Sequence, residues 1–188
     1  MKQLSAFHQE SKTFNKPYGG VLLNTRTGRQ HGRPLDTKST MHLVLKSSKA
    51  KGAWSFKRPQ NEKKIAGITH KFARKYGVKI LSMANVGNHL HFQIKLTNRH
   101  AYKAFIRAIT GSIAMAVTGL NRWEKNEKEP GTKLKFWDYR PFTRVVRSLR
   151  AYLNLKDYIQ INRLEGFGAT KLEARFLFKM SKLKMEYG

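Results

Sequence analysis

Hydrophobic side chains recur along the chain in blocks that alternate between the period of a strand and the period of a helix. Residues 61–76 place apolar side chains at helical spacing, with Asn61 as the expected N-cap and Gly77 as the expected stop. Gly87-Asn88 is a two-residue hairpin signal between two strand-like blocks. Strands are predicted at 41–46, 79–86, 89–96 and 136–146, and helices at 61–76 and 99–117.

The order strand–helix–strand–strand–helix–strand is that of a ferredoxin-like βαββαβ antiparallel sheet with two helices on one face, so the predicted class is α+β. Additional C-terminal helices are predicted at 147–163 and 171–185, the second opened by a Thr170–Glu173 capping box. The apolar stripe of that last helix is formed by Leu172, Phe176, Met180 and Leu183. We expect a basic N-terminal arm at 1–40, a main domain at 41–166 and a C-terminal amphipathic helix at 167–188.

The predicted strand 89–96 carries the most informative pattern. Alternation places Leu90, Phe92, Ile94 and Leu96 on the core face and His89, His91, Gln93 and Lys95 on the other. Two imidazoles at i and i+2 stand roughly 6–7 Å apart at Cα and can share a metal ion. A third ligand is needed, and a half-exposed pair of histidines without a metal is the alternative.

The predicted helix 147–163 contributes a second pattern. Tyr158 and Asn162 are four residues apart, so they project from one face and can meet a common ligand. Tyr152 shares a stripe with Leu149 and Leu153 and is predicted to lie in the core. A tyrosine beside an asparagine is also usual at the edge of an amphipathic helix, so this pair needs support from other residues.

The composition of the chain predicts the chemical nature of its binding partner. The 188 residues include 38 Lys and Arg against 11 Asp and Glu, a formal net charge of +27, with 40% hydrophobic residues. A folded domain with an anionic partner is expected, nucleic acid before a membrane surface, and a ribosomal-type structural protein is an alternative. The absence of cysteine excludes disulfides and cysteine-ligated zinc and favours a reducing cytosol. No apolar run approaches the length of a membrane span.

The scarcity of acids excludes several enzyme classes. Between Thr37 and Trp123 the only acidic residue is Glu62. Two-carboxylate glycosidases and two-metal nucleases need several carboxylates at one site. The chemistry of an enzyme with this sequence would therefore rest on His, Tyr, Asn, Gln or Lys.

The chain resembles the single-tyrosine HUH transposases of the IS200-like superfamily, and within them most closely the REP-associated tyrosine transposases. HUH denotes His-hydrophobic-His, matched by His89-Leu90-His91, and the family's Tyr-Ile-x-x-Asn stretch is matched by residues 158–162. The first strand, 41–45, and the segment 136–142 fit as well. The resemblance covers residues 33–166, with Arg163 where family members often have proline.

The resemblance implies cleavage and transfer of single-stranded DNA by transesterification. Tyr158 would be the nucleophile, leaving a 5′-phosphotyrosine and a free 3′-hydroxyl, and Mg²⁺ or Mn²⁺ would lie between His89, His91 and Asn162. Single-stranded or hairpin DNA is the implied partner, a monomer and a homodimer both fit, and the cytoplasm, at the nucleoid, is the expected location. His42, on the neighbouring strand, could orient a ligand, although a core or surface histidine is favoured.

Basic and aromatic side chains are predicted to hold DNA phosphates and to stack on bases. The basic set is Arg26, Arg29, Arg33, Lys38, Lys57, Arg58, Lys95, Arg140, Arg144 and Arg147. The aromatic set is Trp54 and Phe56, followed by Trp137 and Tyr139, with core packing as the alternative for each.

A second function class stays open. A domesticated relative could bind hairpin DNA or RNA without cutting it. An RNA-recognition module is disfavoured, because His89, His91 and Gln93 stand where such a module shows stacking aromatics. A two-histidine phosphoesterase is also disfavoured, since the sequence has no pair of His-x-Thr/Ser motifs.

Overall fold

The computed structural model describes residues 18–19, 35–120 and 135–187. The strands are β1 (Tyr18–Gly19), β2 (Thr40–Lys46), β3 (Val78–Asn85), β4 (His89–Leu96) and β5 (Phe142–Val146). The helices are α1 (Pro59–Lys75), α2 (Ala101–Thr118), α3 (Leu149–Gly166) and α4 (Lys171–Tyr187). Among the described residues, no helix combines the length and apolar character needed to cross a membrane.

The strands form one antiparallel sheet in the order β1-β5-β2-β4-β3. The predicted ferredoxin-like order is confirmed for β2 to β5. Two differences between the prediction and the structure concern the edge of the sheet formed by β1 and β5. Strand β1, within the predicted basic arm, adds a short pairing to β5 that is too brief for a periodicity to reveal. Strand β5 begins at Phe142 rather than at residue 136. Phe136 lies in the preceding loop, where its carbonyl oxygen accepts a hydrogen bond from Ser47 Oγ at 2.5 Å.

Helices α1 and α2 cover one face of the sheet and enclose the main core. The core face of β4 is confirmed: Leu90, Phe92, Ile94 and Leu96 are buried there. The start of α1 differs from the prediction. Arg58 is the N-cap residue, with Pro59 at the first helical position, and Asn61 is buried instead, donating from Nδ2 to the carbonyls of Ala53 and Ser55. Gly77 has φ +62 just beyond α1, as expected of a stop.

Helix α3 covers the opposite face, mainly over β3 and β4. A small apolar cluster of Ala84, Val146, Leu155 and Ile159 joins it to the sheet. The alternative of a half-exposed histidine pair is therefore wrong for His91, which is 4% exposed.

The buried stripe of α3 differs from the predicted one. Leu155, Ile159 and Asn162 are buried at i, i+4 and i+7, whereas Leu149 is 74% exposed and Leu153 is also exposed. Tyr152 packs partly buried beside the small cluster, at its edge rather than in a leucine stripe. The two leucines project away from the sheet because roughly 100° of rotation per residue carries them to the far side of the helix.

Helix α4 packs on α3, and the predicted capping box is confirmed by reciprocal hydrogen bonds between Thr170 and Glu173. Of the α4 residues whose burial is described, Ala174 alone is buried. The predicted apolar stripe is exposed at all four positions, namely Leu172, Phe176, Met180 and Leu183. Lys182 Nζ lies 2.7 Å from Asp157 Oδ2 and ties α4 to α3.

A close backbone approach fixes the end of α3. A Cβ built on Gly166 collides with the carbonyl oxygen of Asn85, at the end of β3. Because both partners are held in regular elements, we expect Gly166→Ala to push α3 off the sheet and to lower the free energy of unfolding by about 1–3 kcal/mol. Urea unfolding followed by circular dichroism measures this change.

The matched control for Gly166→Ala is Gly111→Ala in α2, where an added Cβ meets nothing within 4 Å. There the alanine should be neutral or stabilise by about 0.5–1 kcal/mol, since it reduces the entropy of the unfolded chain. Similar shifts in the two variants would contradict the close-approach argument.

Candidate active site

Strand pairing brings three imidazoles and one ammonium group to the face of the sheet that α3 partly covers. In the β2–β4 ladder His42 lies opposite Gln93, Val44 opposite His91 and Lys46 opposite His89. Side chains alternate along each strand, so His42 and Lys46 point to the same face as His89 and His91. The ladder therefore assembles the polar face without help from any loop.

The buried stripe of α3 sets the direction of Tyr158. At 100° per residue Tyr158 lies about 60° from Leu155, at the edge of that stripe. Its side chain is 46% exposed, and its ring centroid lies 5.4 Å from that of His91 and 5.8 Å from that of His42, both edge to face. One chain thus brings the predicted nucleophile beside the histidine strand.

These side chains surround a cleft of about 350 Å³. The residues that line it are His42, Val44, Lys46, His89, His91, Tyr139, Phe142 and Tyr158. The cleft is partly open to solvent, and Tyr158, one of its lining residues, is 46% exposed.

Hydrogen bonds hold the two predicted metal-binding histidines by the same ring atom. His89 Nδ1 lies 2.6 Å from Asn88 Oδ1, and His91 Nδ1 lies 3.1 Å from His42 Nε2. A carboxamide oxygen accepts and cannot donate, so His89 carries its proton on Nδ1 and keeps a lone pair on Nε2. His91 Nε2 is buried and has no hydrogen-bond partner among the residues that the structure describes. An imidazole held through Nδ1 with Nε2 left for a ligand is the usual arrangement of a metal-binding histidine.

Burial keeps these imidazoles neutral. Burial lowers the pKa of His91 to about 3, helped by the neighbouring His42 and His89. Burial, with the Arg144 guanidinium nearby, lowers the pKa of His42 to about 4. The pKa of His89 is also lowered, by burial first and by Lys46 second, while Glu165 acts in the opposite direction. Neutral imidazole is the form that binds a metal ion.

Asn162, the predicted third ligand, is buried one turn beyond Tyr158 and is not among the residues that line the cleft. Its Nδ2 donates to the Tyr158 carbonyl at 2.7 Å, so the amide oxygen, which is the atom an amide offers to a metal, takes no part in that bond. In the part of the chain that the structure describes, no group of three or more His, Cys, Asp or Glu side chains is arranged to hold a metal. A metal between His89 and His91 would take its further ligands from other donors.

Three of the four aromatic residues predicted to stack on bases, Trp54, Phe56 and Trp137, pack in the core, whereas Tyr139 lines the cleft. Phe56 is fully buried among Phe136 and Trp137, so the prediction that it binds DNA is wrong. Trp54 is partly buried against Phe136, and Trp137 donates from Nε1 to the carbonyl of Thr110. The hydrophobic effect favours burial of these large rings. A single sequence does not show whether such a ring is buried in the core or exposed for stacking on bases.

The predicted basic contacts are scattered. Arg26, Arg29 and Arg33 lie outside the described residues. The exposed members are Lys38, Arg58, Lys95, Arg140, Arg144 and Arg147. Lys57 is half-buried, with its Nζ 3.7 Å from Glu62 Oε1 and 4.3 Å from the Phe167 ring, so it holds the end of α3.

The lysine at the cleft is not the one predicted. Lys95 lies six residues along β4 from His89, roughly 20 Å at the rise of a strand. Lys46 is exposed, lines the cleft and lies opposite His89. The sequence does contain Lys46 at the end of a predicted strand, but its position beside His89 depends on the register between strands, which one sequence does not provide.

Comparison with known proteins identifies the family. The family model described as "Transposase IS200 like" matches residues 37–162. A solved REP-associated tyrosine transposase bound to a REP hairpin aligns with TM-score 0.55 and 15% identity over 75% of this chain and 74% of that chain. A candidate transposase from Deinococcus radiodurans aligns with TM-score 0.43 and 15% identity over 73% and 98%. No curated protein sequence matches the chain. Because the family match spans most of the chain, from β2 to the end of the buried stripe of α3, the chain belongs to the IS200-like transposase family.

Proposed function

We propose that this transposase cleaves and rejoins single-stranded DNA by transesterification, with Tyr158 as the nucleophile. The observation that carries the proposal is the position of Tyr158, whose ring lies 5.4 Å from that of His91 within one chain and beside an open cleft. Membership of a transposase family supports DNA as the substrate. The REP hairpin bound to the structural neighbour supports a strand that flanks a hairpin.

The reaction conserves the number of phosphoester bonds. The phenol oxygen of Tyr158 attacks phosphorus and loses its proton to solvent, and the bond from phosphorus to the 3′ oxygen breaks. The departing oxygen takes a proton and becomes a free 3′-hydroxyl, while the 5′ side stays on the protein as a phosphotyrosine. A 3′-hydroxyl can then attack the phosphotyrosine and release Tyr158, which joins strands without an external energy source.

The residues of the cleft fit a divalent cation, either Mg²⁺ or Mn²⁺. The buried, unpartnered Nε2 of His91 and the lone pair on His89 Nε2 are suitable donors, and the oxygen of Asn162 is the proposed third. Such an ion, when bound, neutralises charge on the pentacoordinate phosphate. Mn²⁺ is the better probe, because Mg²⁺ prefers oxygen ligands to imidazole.

Lys46 supplies a positive charge from the protein itself. It lines the cleft and faces the histidine strand from β2, so its ammonium group can contact a non-bridging oxygen of the scissile phosphate. Exposed Arg140 and Arg144 lie on the neighbouring segment and can hold adjoining phosphates. All these groups belong to one chain, so we propose that Tyr158 acts in cis. We also propose that the protein acts on DNA at the nucleoid, in the cytoplasm.

Covalent capture tests the nucleophile. With Mn²⁺ and a library of DNA hairpins bearing randomised single-stranded flanks, the 3′-labelled fragment should become attached to the protein and the 5′-labelled fragment should be released. Tyr158→Phe should abolish the adduct on a denaturing gel, because the attacking oxygen is gone. Tyr152→Phe, on the same helix and away from the cleft, is the control and should retain it.

Loss of the adduct in Tyr139→Phe but not in Tyr158→Phe would move the nucleophile to the other tyrosine of the cleft. Hairpin binding without any adduct in the unaltered protein would favour the non-catalytic binding function.

Two lysine variants separate a local from a general charge effect. Lys46→Gln should slow adduct formation by at least about tenfold, because a positioned donor to the reacting phosphate is worth about 10²–10³ in a buried site and less in an exposed one. Lys95→Gln removes the same charge from an exposed position at the far end of β4 and should change the rate little. Equal slowing in both variants, measured at saturating DNA, would contradict a specific role for Lys46.

The lowered pKa values of the buried imidazoles should make the free energy of unfolding of the metal-free protein decrease in acid. The pKa values of His91 and His42 are lowered to about 3 and about 4, so between pH 6.5 and those values the unfolded chain binds protons that the folded chain does not. The free energy of unfolding should fall by up to about 1.4 kcal/mol per pH unit for each imidazole as pH decreases from 6.5. Urea unfolding in a chelator measures the slope. His91→Gln should flatten it, and an unchanged slope would contradict the lowered pKa of His91.

A further inference from the structure

The contact between His42 and His91 has a defined geometry. His42 Nε2 and His91 Nδ1 are 3.1 Å apart, the ring planes differ by 17° and the ring centroids are 5.3 Å apart. Because the ring centres are much farther apart than the two nitrogens, the nitrogens must lie on the edges that face each other. The two rings are therefore nearly coplanar and are joined by a hydrogen bond. His42 is buried, with Phe142 at 6.0 Å and Tyr158 at 5.8 Å packed edge-on against it, and these contacts restrict its rotation.

Proton counting leaves two arrangements of this pair. A neutral imidazole carries one N–H and one lone pair. If His42 donates, His91 has its proton on Nε2, and this buried N–H has no acceptor among the described residues. If His91 donates, its lone pair is on Nε2, where a metal ion can use it. The second arrangement matches His89, whose Nδ1 proton is already committed to Asn88 Oδ1.

We infer that His42 is a positioning residue that accepts a hydrogen bond from the Nδ1–H of His91 and thereby keeps the lone pair of His91 on Nε2. The inference rests on the proposed function, since that lone pair is useful there for a divalent cation. His42 is not itself a metal ligand in this arrangement, because its Nε2 accepts from His91 and its Nδ1 carries the proton. Metal-binding histidines are usually oriented by a carboxylate or a carbonyl; this chain, poor in acids, uses a second imidazole.

Mn²⁺ binding measures this role without DNA or catalysis. Electron paramagnetic resonance titration should show that His42→Phe, which keeps a flat ring but has no acceptor, weakens Mn²⁺ binding by about 10–100-fold. His42→Gln can place an amide oxygen near the position of Nε2 and should keep the affinity within a few-fold of the unaltered protein. Thermal unfolding of both variants shows whether each is folded.

Long-range ¹H–¹⁵N correlation spectra of metal-free, histidine-labelled protein report the tautomer directly. His91 should carry its proton on Nδ1 in the unaltered protein and in His42→Gln, and should shift toward the Nε2–H form in His42→Phe. A His91 ring protonated on Nε2 in the unaltered protein overturns the inference.

The binding data separate the two proposals. Full affinity in His42→Phe, or an equal loss in His42→Phe and His42→Gln, overturns the role of His42 and leaves the metal site standing if His91→Ala abolishes Mn²⁺ binding. Unchanged Mn²⁺ binding in His91→Ala removes the metal site itself and, with it, the inference.

Discussion

The small apolar contact between α3 and the second face of the sheet is the constraint on which the site depends. Only four buried apolar residues among those described form its centre, namely Ala84, Val146, Leu155 and Ile159. The neighbouring part of that face carries the histidines of β2 and β4 beside Val44 and Phe142. The helix must therefore dock beside the imidazoles rather than over them. That compromise leaves a cleft open and places Tyr158 at its edge.

In this cleft an amide and an imidazole, rather than carboxylates, orient His89 and His91. A chain with 38 basic and 11 acidic residues has few carboxylates to place near its histidines. Burial and neighbouring charged groups instead keep the imidazoles neutral, and the contacts of His89 Nδ1 with Asn88 and of His91 Nδ1 with His42 hold the rings. A site with little negative charge of its own repels an approaching phosphate less than a carboxylate cluster does.

The sequence predicts the elements of this fold well and their contacts poorly. The alternation in residues 89–96 and the Gly87-Asn88 turn define β4 and its core face, because strand period and turn chemistry are local properties. The stripe of α3 was wrongly predicted, since Leu149 and Leu153 have the same hydrophobicity as Leu155 and only tertiary packing selects among them. For the same reason, Phe56, which was predicted to stack on bases, is buried, and Lys46 rather than the predicted Lys95 lines the cleft. Whether an aromatic is buried, and which lysine lies opposite His89, depends on strand register and loop packing that are not local.

Because Lys46 is exposed, its electrostatic interactions depend on the salt concentration in a way that the buried contacts of the same cleft do not. Its attraction for phosphate acts through solvent and is screened over a Debye length of about 8 Å at physiological ionic strength. The contacts that hold His91 and Tyr158 are buried or van der Waals in nature and are largely insensitive to dissolved ions. In the proposed reaction, raising the salt concentration therefore weakens the binding of DNA before it disturbs the geometry of His91 and Tyr158.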